Sequence, residues 1–367
     1  MASLGSLRFG SRSLQSAKDA RSEFSSQRQG RQCLNVARQR QNWSWGVTSL
    51  RERRRLLCAA TSEIELDEFE TFVLDLQKRI VSQGQLLNDD GSEFCEDKWD
   101  RPAGSGFGIT RVLEGGKLLE KAAVNVSIIR GTLTPERAKS MSSRGRKIDP
   151  AGGQPYSAAA LSLVFHSAHP FIPTLRADIR RFQVDGMGWF GGGADLTPFY
   201  IIERDAKEFH TTWKDLCDGY SEDLYPRFKT WCDEYFHIPA RKEHRGIGGI
   251  FFDDLDPTEE NYDVESLVKE VGQLIVPSWS KIATRNREIE FEQRHRDWQI
   301  LRRGRYLEFN LLYDRGVRFG LQGGRIESIM VSAPPLVSWK YNVEPEKGSP
   351  EQELIDVLEK PRDWANL

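Results

Sequence analysis

Three glycine-marked segments hold most of the residues able to do chemistry. Between Gly188 and Tyr200 three consecutive glycines precede Ala194, Asp195, Leu196, Thr197 and Pro198. Backbone there can approach a ligand with no side chain in the way, or cross another strand closely. A phosphate loop does not fit, because no Lys followed by Ser or Thr comes next and Pro198 stops a helix where a phosphate would need one. The second segment, Arg245 to Asp256, reads as a buried strand with a cation at one end and Asp253, Asp254 and Asp256 at the other; acids so placed also cap turns into a following helix. The third runs from Gly304 to Gly316 and continues from Phe319 to Ser328. Strand alternation would put Glu308, Asn310, Leu312 and Asp314 on one face, facing water or lining a pocket, since such a polar line is costly to bury. Arg315 and Arg325 flank it, and a guanidinium fork matches a carboxylate with two parallel hydrogen bonds. A surface ion pair with Asp314 is the competing reading of Arg315.

Other chemistries find no support. His166, His169, His210, His237 and His244 make neither HExxH nor a Cys/His zinc spacing, so they read as structural or surface residues and no metal is expected. Cys33, Cys58, Cys95, Cys217 and Cys232 are odd in number and lack CxxC spacing, which favours reduced thiols in an intracellular compartment. No nucleophile elbow or dinucleotide fingerprint is present. No apolar run is long enough for a membrane span.

The elements that must position these residues fall after a compositional break. The first 58 residues carry twelve bases against three acids, with abundant Ser and Gln and no continuous apolar stretch. They read as an organelle transit peptide, plastid in preference to mitochondrion, or else as a basic arm that stays attached. The remainder is net acidic, which argues against a nucleic-acid partner, so an anionic ligand must be held by a local cluster of bases. From Glu63 onward Leu66, Phe69, Phe72, Val73, Leu76, Ile80 and Val81 recur at helical steps. Strands are expected at 123–129, 161–166, 176–184, 188–202, 249–253, 305–312 and 326–331, and helices at 206–217, 223–236, 259–274, 276–299 and 350–358. Several strands succeed one another without a helix between them. Residues 63–367 therefore read as a single α+β domain, a mainly antiparallel sheet covered by helices.

Taken together, WFGGGADLTPFY at Trp189, RGIGGIFFDDLD at Arg245 and GRIESIMVSAPPLVSW at Gly324 resemble the oxygen-dependent coproporphyrinogen III oxidases. Trp99-Asp100-Arg101, the run from Glu120 to Ser127, His169 to Thr174, Tyr225 to Phe236 and Pro361 to Trp364 follow the same pattern in the same order. The resemblance covers roughly the last three quarters of the chain. It implies a flat seven-stranded antiparallel sheet with helices on both faces and a homodimer. It also implies oxidative decarboxylation of two propionates of coproporphyrinogen III to vinyls, with dioxygen as co-substrate and no metal or organic cofactor.

Carried over residue by residue, the resemblance makes Asp314 the acid that holds pyrrole N–H groups and takes a proton, with Arg315 and Arg180 as propionate anchors. Ser162, Asp195, Arg245, Gly323, Gly324 and Arg325 become substrate-binding positions, and His166 and His210 supporting ones. The family pattern His-x-Asn-x-Arg is here Arg176, Ala177, Asp178, Ile179 and Arg180. Arg176 and Asp178 are thus expected at the substrate, but arginine is a poor proton donor near neutral pH. Two functions from different classes follow: a working oxidase, on coproporphyrinogen III or a related porphyrinogen, and a paralogue that binds a tetrapyrrole as carrier, sensor or structural partner.

Overall fold

The computed structural model describes residues 65–143, 146–321 and 324–367. The leader read in the first 58 residues, Cys33, Cys58 and Gly323 lie outside the described residues. Glu63–Leu367 form one compact unit. The strands are β1 (Cys95–Asp100), β2 (Gly106–Glu114), β3 (Leu119–Thr132), β4 (Pro155–Ser167), β5 (Thr174–Val184), β6 (Met187–Thr197), the short ribbon β7 (His237–Ile238) and β8 (Glu243–His244), and β9 (Gly248–Leu255). The helices are α1 (Glu68–Asn88), α2 (Pro135–Ser142), α3 (Glu203–Asp218), α4 (Leu224–Phe236), α5 (Val264–Asn286), α6 (Gln293–Leu312), α7 (Arg315–Leu321), α8 (Ile326–Met330) and α9 (Pro350–Glu359).

The seven-stranded sheet runs β1-β2-β3-β4-β5-β6-β9 with every pairing antiparallel. Register divides its residues between two faces. Val124, Leu163, Ala177, Ala194 and Ile250 align across five strands and are buried in the main core. Helices α1 and α5 close this face through Phe69, Val73 and Leu76, and through Val271, Ile275 and Trp279. One residue out of phase, Asn125, Ser162, Asp178, Gly193 and Phe251 align on the opposite face, beside the row Ala123, Val164, Arg176 and Asp195. That second face is covered in part by α6, whose Tyr306 packs on Ala123 and Val164.

Two glycines of β6, Gly191 and Gly193, show what its close approaches accomplish. A Cβ on Gly191 would stand 2.7 Å from the Arg180 guanidinium, so this glycine makes room for a side chain on the charged face. A Cβ on Gly193 would overlap the Ile250 carbonyl oxygen and stand 3.0 Å from Phe251 Cα, so this one lets β9 dock.

Two predicted strands are helical. Residues 305–312 form the end of α6, and 326–331 coincide with α8. From Leu301 to Leu312 no residue is β-branched, so the local alternation belonged to good helix formers. Glu292 and His295 form a capping box that starts α6, and Arg305 pairs with Glu308 one turn on at 2.8 Å. The polar line over Glu308, Asn310, Leu312 and Asp314 therefore does not exist: Asn310 is buried and Glu308 instead meets Arg241 and Trp339. In α8, Ile329 packs against the places left open by Gly320 and Gly324.

The helix boundary expected at Val276 is also displaced. Helix α5 continues through Pro277, because Ile275, Val276, Trp279 and Ile282 are all core residues whose burial outweighs one lost backbone bond. The chain breaks instead before Glu292. Strand β1 went unread because it is an exposed, charged edge, as such edges commonly are.

Gly193→Ala is expected to destabilise the fold by about 1–3 kcal/mol, since the obstacles are backbone atoms and cannot rotate away. A denaturant midpoint equal to wild type would show that β9 docks more loosely than this register requires.

Candidate active site

A cavity of about 810 Å³ opens over the charged face of the sheet. Its floor carries Ser162, Arg176, Asp178, Arg180, Asp195 and Asp253. Tyr235 and Phe236 close one side from the end of α4, Asp314 and Arg315 come from the α6–α7 junction, and Met141 comes from α2. Aromatic walls and a volume of several hundred Å³ suit an organic ligand with a few fixed polar contacts.

The deepest pair is Arg245 with Asp195. Their side chains are 1% and 5% exposed, and Nη2 of Arg245 donates to Oδ1 of Asp195 at 2.6 Å. Nη1 donates to Asn310 Oδ1 at 3.2 Å, and the guanidinium lies 4.0 Å from the Phe236 ring centre and 4.9 Å from those of Tyr306 and Phe309. Burial pushes the Asp195 carboxyl up from its ordinary range against the pull of Arg245 and, through space, Arg176. Arg245 stays firmly protonated: burial opposes its charge, and Asp195, Tyr306 and Asp314 together more than offset that.

Around Arg180 a second network forms. Its Nη1 donates to Asp178, and its Nη2 meets Asp253 Oδ1 at 3.0 Å. The other oxygen of Asp253 faces Arg315 at 3.5 Å. Burial would raise the Asp253 carboxyl, but Arg180 and Arg315 outweigh it and hold the group below its usual value. Tyr235 stacks on Phe251 with ring centres 4.4 Å apart, and its hydroxyl accepts from the Arg315 backbone N–H at 3.2 Å. The Arg315 guanidinium lies 4.9 Å over the same ring. Asp314 Oδ1 accepts from the Val317 N–H at 2.7 Å, so this carboxylate caps α7 while facing the cavity. Arg176 Nη1 donates to the backbone carbonyls of Leu163 at 2.9 Å and Ala177 at 2.6 Å.

Residues 68–364 match the family model described as coproporphyrinogen III oxidase. The chain is 43% identical over 332 residues to coproporphyrinogen-III oxidase 1, chloroplastic, of Arabidopsis thaliana, covering 86% of this chain and 84% of that one. It is 44% identical over 328 residues to the mitochondrial oxygen-dependent coproporphyrinogen-III oxidase of Homo sapiens, covering 87% and 70%. To the oxygen-dependent enzyme of Drosophila melanogaster it is 42% identical over 304 residues, covering 81% and 77%. The chain belongs to the coproporphyrinogen III oxidase family.

Of the positions expected for a coproporphyrinogen oxidase, Ser162, Arg176, Asp178, Arg180, Asp195, Arg245, Asp314 and Arg315 share the one cavity. Arg325 does not reach it: its guanidinium pairs with Asp97 on β1 at 2.6 Å and lies 5.7 Å over Trp99. Gly324 is equally remote and serves to seat Ile329. The two histidines are buried outside the cavity. His166 bonds Thr174 Oγ1 and the Ser332 carbonyl, whereas His210 bonds the Tyr225 hydroxyl and the Ile247 carbonyl. Burial lowers the pKa of both, His210 to about 3, so both stay neutral and act as struts.

Asp253 was visible in the sequence only as an acid at a strand end, yet it is the carboxylate joining two cavity arginines. Its place two residues after Phe251 on an alternating strand was the available signal. Among the described residues the cavity lining holds five arginines and six acids, so it is close to neutral, with more acids than the arginines around a central carboxylate that were expected.

Asp253→Asn is expected to lower stability by about 1–3 kcal/mol near neutral pH, since Arg180 and Arg315 lose a charged acceptor. Because the folded carboxyl is held below the ordinary 3.8, this contribution is fully present above that value and fades as pH falls through the lower folded value. Denaturation curves of wild type and variant should therefore converge at acid pH; a gap constant down to pH 2 would contradict the pairing.

Proposed function

We propose that this chain converts two propionates of coproporphyrinogen III to vinyl groups with dioxygen as oxidant, giving protoporphyrinogen IX. The observation that carries this reading is that Arg180, Asp314 and Arg315, brought from β5 and the α6–α7 junction, line one cavity with the buried Asp195–Arg245 pair. Family membership supplies the reaction; the cavity supplies groups suited to it. Each propionate consumes one dioxygen and one proton and releases one carbon dioxide and one hydrogen peroxide. A C–H bond next to the ring and the bond to the carboxylate break, and two electrons pass to dioxygen.

A flexible ring with four carboxylates and four pyrrole N–H groups needs both kinds of partner, and a neutral cavity of paired acids and bases offers both. Arginine forks hold propionates. The carboxylates accept from pyrrole N–H groups, with Asp314 taking the proton whose removal makes the electron-rich ring a better donor to dioxygen. Its Oδ1 is fixed by the Val317 N–H, which leaves the other oxygen for this task. The aromatic walls of Tyr235 and Phe251 pack against the macrocycle and exclude water. No metal or organic cofactor enters this reading, and it includes a homodimer working in a plastid, or alternatively a mitochondrion. The relatives' names include both organelles.

A second reading is favoured by one feature: Arg176 and Asp178 stand where the family pattern has His and Asn, so among the described residues no histidine lies on the cavity floor. In that case the chain binds a tetrapyrrole without converting it. Incubation with coproporphyrinogen III in air and under nitrogen separates the two. Products with three and two propionates formed only in air are the expected result, while ligand binding with no product would select the second reading. Asp314→Asn is expected to lower kcat by about 10²–10⁴-fold, and full activity in that variant would remove Asp314 from the proton transfer.

A further inference from the structure

The four arginines facing the cavity floor are not equally available to a ligand. Arg180 spends Nη1 on Asp178 and Nη2 on Asp253. Arg245 is spent on Asp195 and Asn310, and Arg315 faces Asp253. Arg176 alone of these four pairs with no carboxylate of the described residues; its Nη1 is steadied by two backbone carbonyls, which orient a guanidinium without cancelling its charge. Asp195, its cross-strand partner, gives Oδ1 to Arg245 instead. The carbonyls that hold Arg176 belong to Leu163 and Ala177, themselves a cross-strand pair. They draw the guanidinium toward the adjoining row, where half-buried Ser162 stands opposite Asp178 at the cavity.

We propose that Arg176, assisted by the Ser162 hydroxyl, is the propionate anchor of this cavity floor, and that Arg180 is not. The assignment rests on the reading of a propionate-bearing substrate given above and deepens it. Nε and Nη2 of Arg176 offer the two parallel donors a carboxylate needs. The two departures from the family pattern act together. An aspartate at 178 consumes the charge of Arg180, and an arginine at 176 supplies a replacement four residues along the same face, about 13 Å away. The summed charge of the strand is the same as with neutral His and Asn, but its free cation has moved toward the Asp195–Arg245 pair. A bound propionate, and with it the ring, shifts in that direction.

Fluorescence titration of the full chain with coproporphyrin III, the oxidised tetracarboxylate that cannot turn over, tests this directly. Arg176→Gln should weaken binding by about tenfold or more, the worth of a charged hydrogen-bonded contact. Adding Asp178→Asn to that variant should restore affinity to within about threefold of wild type, because it frees Nη1 of Arg180 to serve as anchor while Asp253 keeps Nη2. A misfolded Arg176→Gln protein would not be rescued by a second substitution. Arg176→Gln binding as tightly as wild type, or binding equally weakly with and without Asp178→Asn, overturns the assignment while leaving the proposed function standing. Wild type that neither binds coproporphyrin III nor converts coproporphyrinogen III would remove both.

Discussion

The buried guanidinium of Arg245 is the constraint around which this half of the molecule is organised. A charge that is 1% exposed is tolerated only if paired and hydrogen-bonded, because leaving it alone would cost several kcal/mol. Its partners come from separate elements: Asp195 from β6, Asn310, Tyr306 and Phe309 from α6, and Phe236 from the end of α4. Satisfying one side chain thus fixes where two helices meet the charged face of the sheet. The cavity lies beside that junction. Its rigidity follows from the same requirement, since moving α6 away would strand both the cation and Asp195.

The near-neutral lining also explains how several arginines can share one hollow. A hollow lined only by arginines would repel itself in a poorly hydrated space. Here Asp178 and Asp253 hold Arg180, and Asp253 reaches Arg315, so the cations stay in place at little electrostatic cost. Affinity for an anion must then come from individual donors with free edges rather than from a diffuse field. Which arginine has such an edge is therefore a more informative question than how many arginines are present.

Much of this was legible in the sequence. Period-two alternation in β3 to β6 and β9 gave the central strands, and it carried Arg176, Asp178 and Arg180 to the same face because they are two residues apart. Alternation failed at 305–312, where an eight-residue window can satisfy strand and helix periods alike and the absence of β-branched residues was the better guide. Arg325 was placed at the site by the family resemblance, as the arginine after a glycine turn. The intervening helix α7 and the pull of Asp97 carry it to β1 instead, a contact between segments more than two hundred residues apart that no local pattern encodes.

Partner choice among the cavity residues was the least readable property, and the reason is geometric. The sequence presents Arg180 as the anchor that the family resemblance implies and Arg176 as an anomaly, because it shows residue types without showing which charges cancel. Arg180 is cancelled by Asp178 on its own strand together with Asp253, which arrives from β9 through a register that shifts by one between Phe190 and Gly192 on β6. This irregularity occurs beside Gly191, the residue whose missing side chain leaves room for the Arg180 guanidinium. A small residue and a local offset between two strands thus decide which arginine is neutralised. The chemistry available at the cavity floor is set by that backbone detail as much as by the charged residues themselves.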